Sequence, residues 1–219
     1  MSDTSNNMRK KTLKGDTMNK KFHVFLLISL IGIFIWSAIN PKSYPTWALE
    51  VSLSVLLIGV LIKIYPEFKF SNLVYLLMWI HGIIVIVGAH YTYSKVPLFN
   101  WLKDILNLSR NHYDRFAHFV IGAIMAIFFR EILIRKSPVK RGKWLFGIVI
   151  SISLALSSIY EILEFIIMKI SGKGAKAFLG TQGDLWDAQW DMLLASIGTI
   201  ISLVTLRNYH NKSMKKIQK

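Results

Sequence analysis

Residues 73–93 read LVYLLMWIHGIIVIVGAHYTY, a run without Asp, Glu, Lys, Arg or Pro. A helix of about 20 apolar residues crosses the roughly 30 Å hydrocarbon core of a bilayer. This run is long enough, and it is apolar on every side rather than along one stripe. Such a helix needs an apolar surround on all faces. It reads as a membrane span.

Five further runs have the same character, at 22–39, 47–64, 116–134, 144–168 and 186–206. Their breaks have chemical causes. Asn40-Pro41 and Tyr44-Pro45 separate the first run from the second, and Pro66 closes the second. Proline lacks a backbone donor and restricts its predecessor. The chain is therefore expected to be an all-α, polytopic transmembrane bundle of about six spans occupying 22–206. Residues 1–21 are expected as a basic, disordered cytoplasmic tail, and 207–219 as a second basic tail. The first run has the basic lead-in of a signal peptide but no small-x-small cleavage site, so it is expected to stay as an anchor.

The formal charge of +15 would suggest nucleic acid in a soluble protein. Only 18% of residues are charged, however, and the basic ones cluster between the apolar runs. That pattern is the positive-inside rule, and no nucleic-acid partner is expected. Of the 27 Lys and Arg, 19 fall on the side that holds both termini and 8 on the other. Both ends are thus expected in the cytoplasm, with links 40–46, 94–115 and 169–185 facing outward. The absence of cysteine excludes disulfides and thiolate metal sites.

This direction brings separated polar groups to one depth. Asp114 and His118 open the fourth span, Glu161 and Glu164 lie near the end of the fifth, and Asp187 and Asp191 open the sixth. Spacings of three and four place each pair on one helix face. A deep tier of His118, Glu161 and Asp191 is expected, below a shallow tier of Asp114, Glu164 and Asp187. His90 is a candidate fourth contribution to the shallow tier.

Ionisable groups at membrane depth are costly and usually functional. Carboxylates crowded together raise one another's proton affinity unless a cation joins them. Arg115 offsets one charge at most. One reading is a divalent metal ion held by His118, Glu161, Asp191 and Asp187, with Glu164 or Asp114 as general base. Such a site would serve a metal-dependent hydrolase or transferase acting on a lipid-linked or envelope substrate. The alternative is a cation- or proton-coupled transporter or an envelope binding protein, with His81 extending the path inward. Blander roles compete. Asp184 and Asp187 suit a helix N-terminus, His81 suits an interhelical donor, and the deep tier could be structural hydrogen bonding. The glycine-bearing link 172–183 suits a lid. Trp47, Trp101, Trp186 and Trp190 suit an interfacial belt.

The stretches Arg110–Phe119, Arg130–Leu133, Tyr160–Phe165 and Gly180–Met192 resemble the YjdF-type family of bacterial inner-membrane proteins. The resemblance covers most of the chain after residue 22 and implies a membrane protein, without implying an activity. A second, looser likeness is to VanZ-like membrane proteins. It rests on Asp114-Arg115 with His118, on Glu161 with Glu164, and on Asp187 with Asp191. At Glu164 and Asp191 this chain has an acid where those proteins carry an amide, which favours a cation and weakens any shared mechanism.

Overall fold

The computed structural model describes the backbone of residues 2–171 and 182–217, and the side chains of 18–170 and 182–217. Eight helices follow in order: α1 (Ser2–Ala38), α2 (Tyr44–Ile64), α3 (Asn72–His90), α4 (Pro97–Ile105), α5 (Tyr113–Lys136), α6 (Lys143–Ser171), α7 (Asp187–Thr205) and α8 (Arg207–Lys215). Among the described residues there is no strand. Six helices are long and apolar enough to cross a membrane: Met18–Ala38, Tyr44–Ile64, Asn72–His90, Tyr113–Lys136, Lys143–Ile170 and Asp187–Thr205. The protein is a multi-pass membrane protein. The division expected at residue 21 falls within α1, and the side chains of residues 1–17 lie outside the described residues.

The sequence sets where these helices start and stop. Asn40 takes a left-handed backbone at φ 52°, which Asn tolerates, and α1 ends just before it. Ser43 caps α2 by accepting from the Thr46 N–H at 3.4 Å, and a proline sits in the first turn. Ser71 caps α3 in the same way through Val74.

The centre of the bundle is the α5–α7 pair. Gly122 lies against the Ala195 carbonyl and Gly198 against the Phe119 carbonyl, so closely that a Cβ on either glycine would overlap those atoms. Small residues permit this approach where lipid offers no hydrophobic drive. Polar side chains then bridge the gap. Thr199 Oγ1 donates to the Gly122 carbonyl at 3.0 Å, and Ser202 Oγ to the Ala123 carbonyl at 2.8 Å. α6 packs on this pair, α3 packs on α5, and α1 and α2 pack on α3. Large apolar side chains such as Ile28, Leu56, Ile159 and Val204 point outward, as hydrocarbon contact requires.

At one end of the bundle, Leu61, Phe70, Val74, Met78, Ile127 and Phe128 close the interior with apolar packing. At the other end the interior opens into a cavity of about 320 Å³. Two elements are additions to the expected outline. Helix α4 lies within the 94–115 link, and α8 buries His210 and Met214 within the 207–219 tail.

Candidate functional site

The start of α5 is organised by Asn111. Its Oδ1 accepts from the Tyr113 N–H at 3.0 Å, and its Nδ2 donates to the Val96 carbonyl at 3.1 Å and to Asn100 Oδ1 at 2.8 Å. Its backbone exchanges two hydrogen bonds with the Gln182 side chain, at 2.9 and 2.8 Å. One amide thus registers α4, α5 and the approach to α7. Arg110 and Arg115 flank it, and they meet the acids that open α7. Arg110 pairs with Asp187, and Arg115 with Asp184. Asp184 also accepts from the Trp186 N–H at 2.9 Å. That backbone donor, reinforced by Arg115, holds its carboxyl below the ordinary range.

These pairs correct the expected charge balance. Two arginines act on the cluster, and Arg115 engages Asp184 rather than its chain neighbour Asp114. Asp184 sits before α7 and receives the Trp186 N–H, the ordinary helix-start role. Asp187 is buried with one oxygen committed to Arg110.

One turn deeper, the expected convergence occurs. One ligand atom each from His118, Glu161 and Asp191 lies within 4.8 Å of the others. His118 Nε2 is 3.7 Å from Glu161 Oε1 and 3.8 Å from Asp114 Oδ1. Asp114, Asp187 and Asp191 form a second, overlapping group on the same criterion, so Asp191 belongs to both. Asp191 is 2% exposed, and its Oδ1 has no hydrogen-bond partner. Glu161 Oε1 is likewise buried and unpartnered. Glu164 belongs to neither group. A group of one imidazole and two carboxylates, with bare oxygens facing inward, has the donor types that a divalent cation takes.

The cavity lies directly beneath. Its walls include His118 and Asp114 from α5, Tyr160 and Ser157 from α6, and Glu50 and Ser54 from α2. His81 stands on its α3 wall, and His81 Nδ1, Ser54 Oγ and Ser157 Oγ lack partners. Ser153 also lines the cavity and is hydrogen-bonded to Thr199 at 2.6 Å.

Two residues differ from expectation. His90 does not join the cluster: its Nδ1 bonds the Ser37 carbonyl at 2.9 Å, and its ring stacks on Trp36 at 4.6 Å. That is an interfacial tie between α1 and α3. Glu50 is an addition to the expected set. It is 5% exposed and accepts a hydrogen bond from Tyr160 Oη at 2.6 Å. As the one acid in the 47–64 run, it carried the same signal as the others. The expected lid at 172–183 lies outside the described residues except for Gln182 and Gly183.

A family model described as "Predicted membrane protein (DUF2238)" matches residues 22–212. Inner membrane protein YjdF of Escherichia coli (strain K12) is 35% identical over 189 residues, covering 86% of this chain and 90% of that one. No solved structure matches the chain. The VanZ-like likeness rests on its motifs alone.

Proposed function

Starting from the premise that this chain belongs to the DUF2238 family of predicted membrane proteins, we propose that it is a membrane-embedded enzyme with a divalent cation at His118, Glu161 and Asp191. Asp187, grouped with Asp114 and Asp191, is the candidate fourth ligand. Glu164 or Asp114 is the general base. The substrate is lipid-linked or otherwise part of the envelope, and the reaction is hydrolysis or group transfer. Bound there, the cation would polarise a substrate oxygen or lower the pKa of a water.

The observation that carries this reading is the Asp191 carboxylate. Asp191, 2% exposed, keeps an oxygen without a hydrogen-bond partner, as does Glu161, and each of the two residues offers a ligand atom within 4.8 Å of the other's. Leaving a buried acceptor unmet costs about 1–3 kcal/mol, more when it is charged. A cation between the two oxygens removes that cost.

Localisation follows the same logic. The E. coli relative is named as an inner membrane protein. The excess of Lys and Arg on the side of both termini supports a cluster at the outer leaflet.

Coupled transport of a cation or proton is the second reading. Its support is His81, which extends the polar lining of the cavity toward mid-membrane. Beyond it the interior is closed by Met78, Ile124, Ile127 and Phe128, so the polar path does not continue.

Elemental analysis of the purified protein decides between occupied and empty. About one equivalent of a transition metal or Mg should survive desalting in wild type and fall to background in H118A and E161Q. Retention should be normal in E164Q. Wild type that carries no stoichiometric metal, even after loading with Zn or Mn, ends the proposal.

A further inference from the structure

A second polar cavity lies at the opposite membrane face from the carboxylates. It encloses about 450 Å³ and is lined by Arg130, Arg141, Lys143 and Arg207, with Phe146 and Val204 on its flank. Four cations converge on it from three places: α5, the α5–α6 link with the first turn of α6, and the start of α8. Among the described residues, no carboxylate lines it. Among the described residues, none forms an ion pair with Arg141, Lys143 or Arg207.

Arg130 is the buried member, 3% exposed, and its partners are neutral. Its Nη1 donates to His210 Nδ1 at 2.8 Å and its Nη2 to Asn211 Oδ1 at 2.8 Å. Because Nδ1 of His210 accepts, the ring proton sits on Nε2, which donates to Glu131 at 2.9 Å. Glu131 is further occupied by Ser71 and Arg135. Glu131 therefore serves other donors, Glu67, which shares a neighbouring cavity with Arg141, forms no ion pair with it, and the positive charge of the cavity is left for a ligand.

Chemistry and depth together select that ligand. Phosphate oxygens suit forked guanidinium donors. Basic pockets between membrane helices on the cytoplasmic side are where anionic lipid headgroups bind. The apolar flank fits as well. Val204 is 66% exposed and Phe146 38%, so both face the hydrocarbon where acyl chains run. From this arrangement we infer that the cavity is a binding site for the phosphate headgroup of an anionic phospholipid, with the acyl chains against Phe146 and Val204. The site stands independently of the carboxylate cluster and of any reaction there.

The test is native mass spectrometry of the full chain released from mixed phosphatidylcholine–phosphatidylglycerol nanodiscs. Wild type should retain phosphatidylglycerol over phosphatidylcholine. R141Q/R207Q should lose that preference by roughly thirtyfold, on the usual contribution of a basic residue near an anionic surface. K212Q/K215Q removes the same charge from α8 outside the cavity and should keep the preference. Equal loss in both variants would mean diffuse attraction and overturns the site. Equal retention of the two lipids by wild type also overturns it. Inorganic phosphate at millimolar concentration should leave the bound lipid in place, and displacement by it overturns the lipid assignment. Thermal melting of both variants near the wild-type value is expected, since Arg141 and Arg207 are exposed. If R141Q/R207Q unfolds, R207Q alone supplies the comparison.

Discussion

Tyr160 donates its phenolic hydrogen to Glu50 across 2.6 Å, joining α6 to α2 over the cavity that His118 and Asp114 also line. α2 otherwise leans mainly on α3. The hydrogen bond therefore spans the one wall of the cavity that helix packing does not close. Y160F removes the donor and leaves a buried carboxyl without it. The thermal midpoint in detergent should fall, by an amount equivalent to about 1–3 kcal/mol. E50Q should cost less, and the double variant less than the sum. Strictly additive losses would show that the two groups do not act on each other.

Arg110 and Asp187 are both 6% exposed at the side chain, so removing Arg110 takes from a buried carboxylate its shortest charge partner and leaves Arg115 at 3.8 Å. R110Q should destabilise by about 3–5 kcal/mol, and R110L/D187L should recover most of it. The same variants separate structure from chemistry. If R110L/D187L retains the metal content of wild type, Asp187 is a clamp and the ligands are His118, Glu161 and Asp191 alone.

Gly198 sits on the Phe119 carbonyl, with Ala123 N 3.2 Å from where a Cβ would be. Backbone cannot yield as a side chain can. G198A should push α5 from α7 and cost about 1–3 kcal/mol or more, while G59A, where the space is open, should be near neutral. Comparable melting curves for the two would refute the close approach.

His210 ties α8 to the bundle between Arg130 and Glu131. Burial holds its imidazole below the ordinary value of 6.5, and Arg130 and Arg141 push the same way. The unfolded chain takes up the proton below about 6.5, while the folded ring resists until lower pH. The stability of the neutral ring is thus complete above that value and is lost as pH falls beneath it. Melting measured from pH 7.5 to 5 should decline more steeply in wild type than in H210Q. A glutamine can still donate to Glu131 and accept from Arg130, but it does not titrate. Parallel curves would remove His210 from the account.

Much of this protein is legible in one dimension. Length and hydropathy decide the six spans, because a bilayer demands about 20 apolar residues from each crossing. Helical spacing decides which acids share a face, so Asp114 with His118 and Asp187 with Asp191 follow from position alone. The convergence of His118, Glu161 and Asp191 also follows once the helices are given a direction.

What the chain order does not contain is the pairing across helices. Arg110 and Arg115 look alike in the sequence, yet the fold sets Arg110 closest to Asp187 and Arg115 closest to Asp184, with each in longer reach of the other acid. His81 and His90 are both histidines of α3. One faces the cavity with a bare nitrogen, and the other bonds α1. Glu50 joins the cavity wall beside the cluster only because packing on α3 brings α2 within reach of Tyr160. Each of these turns on the rotation of a helix about its own axis. In lipid that rotation is fixed by small-residue contacts such as Gly122 on Ala195 and by the buried hydrogen bonds around them. Hydropathy sets which segments cross the membrane; side-chain contact between helices sets which residues meet.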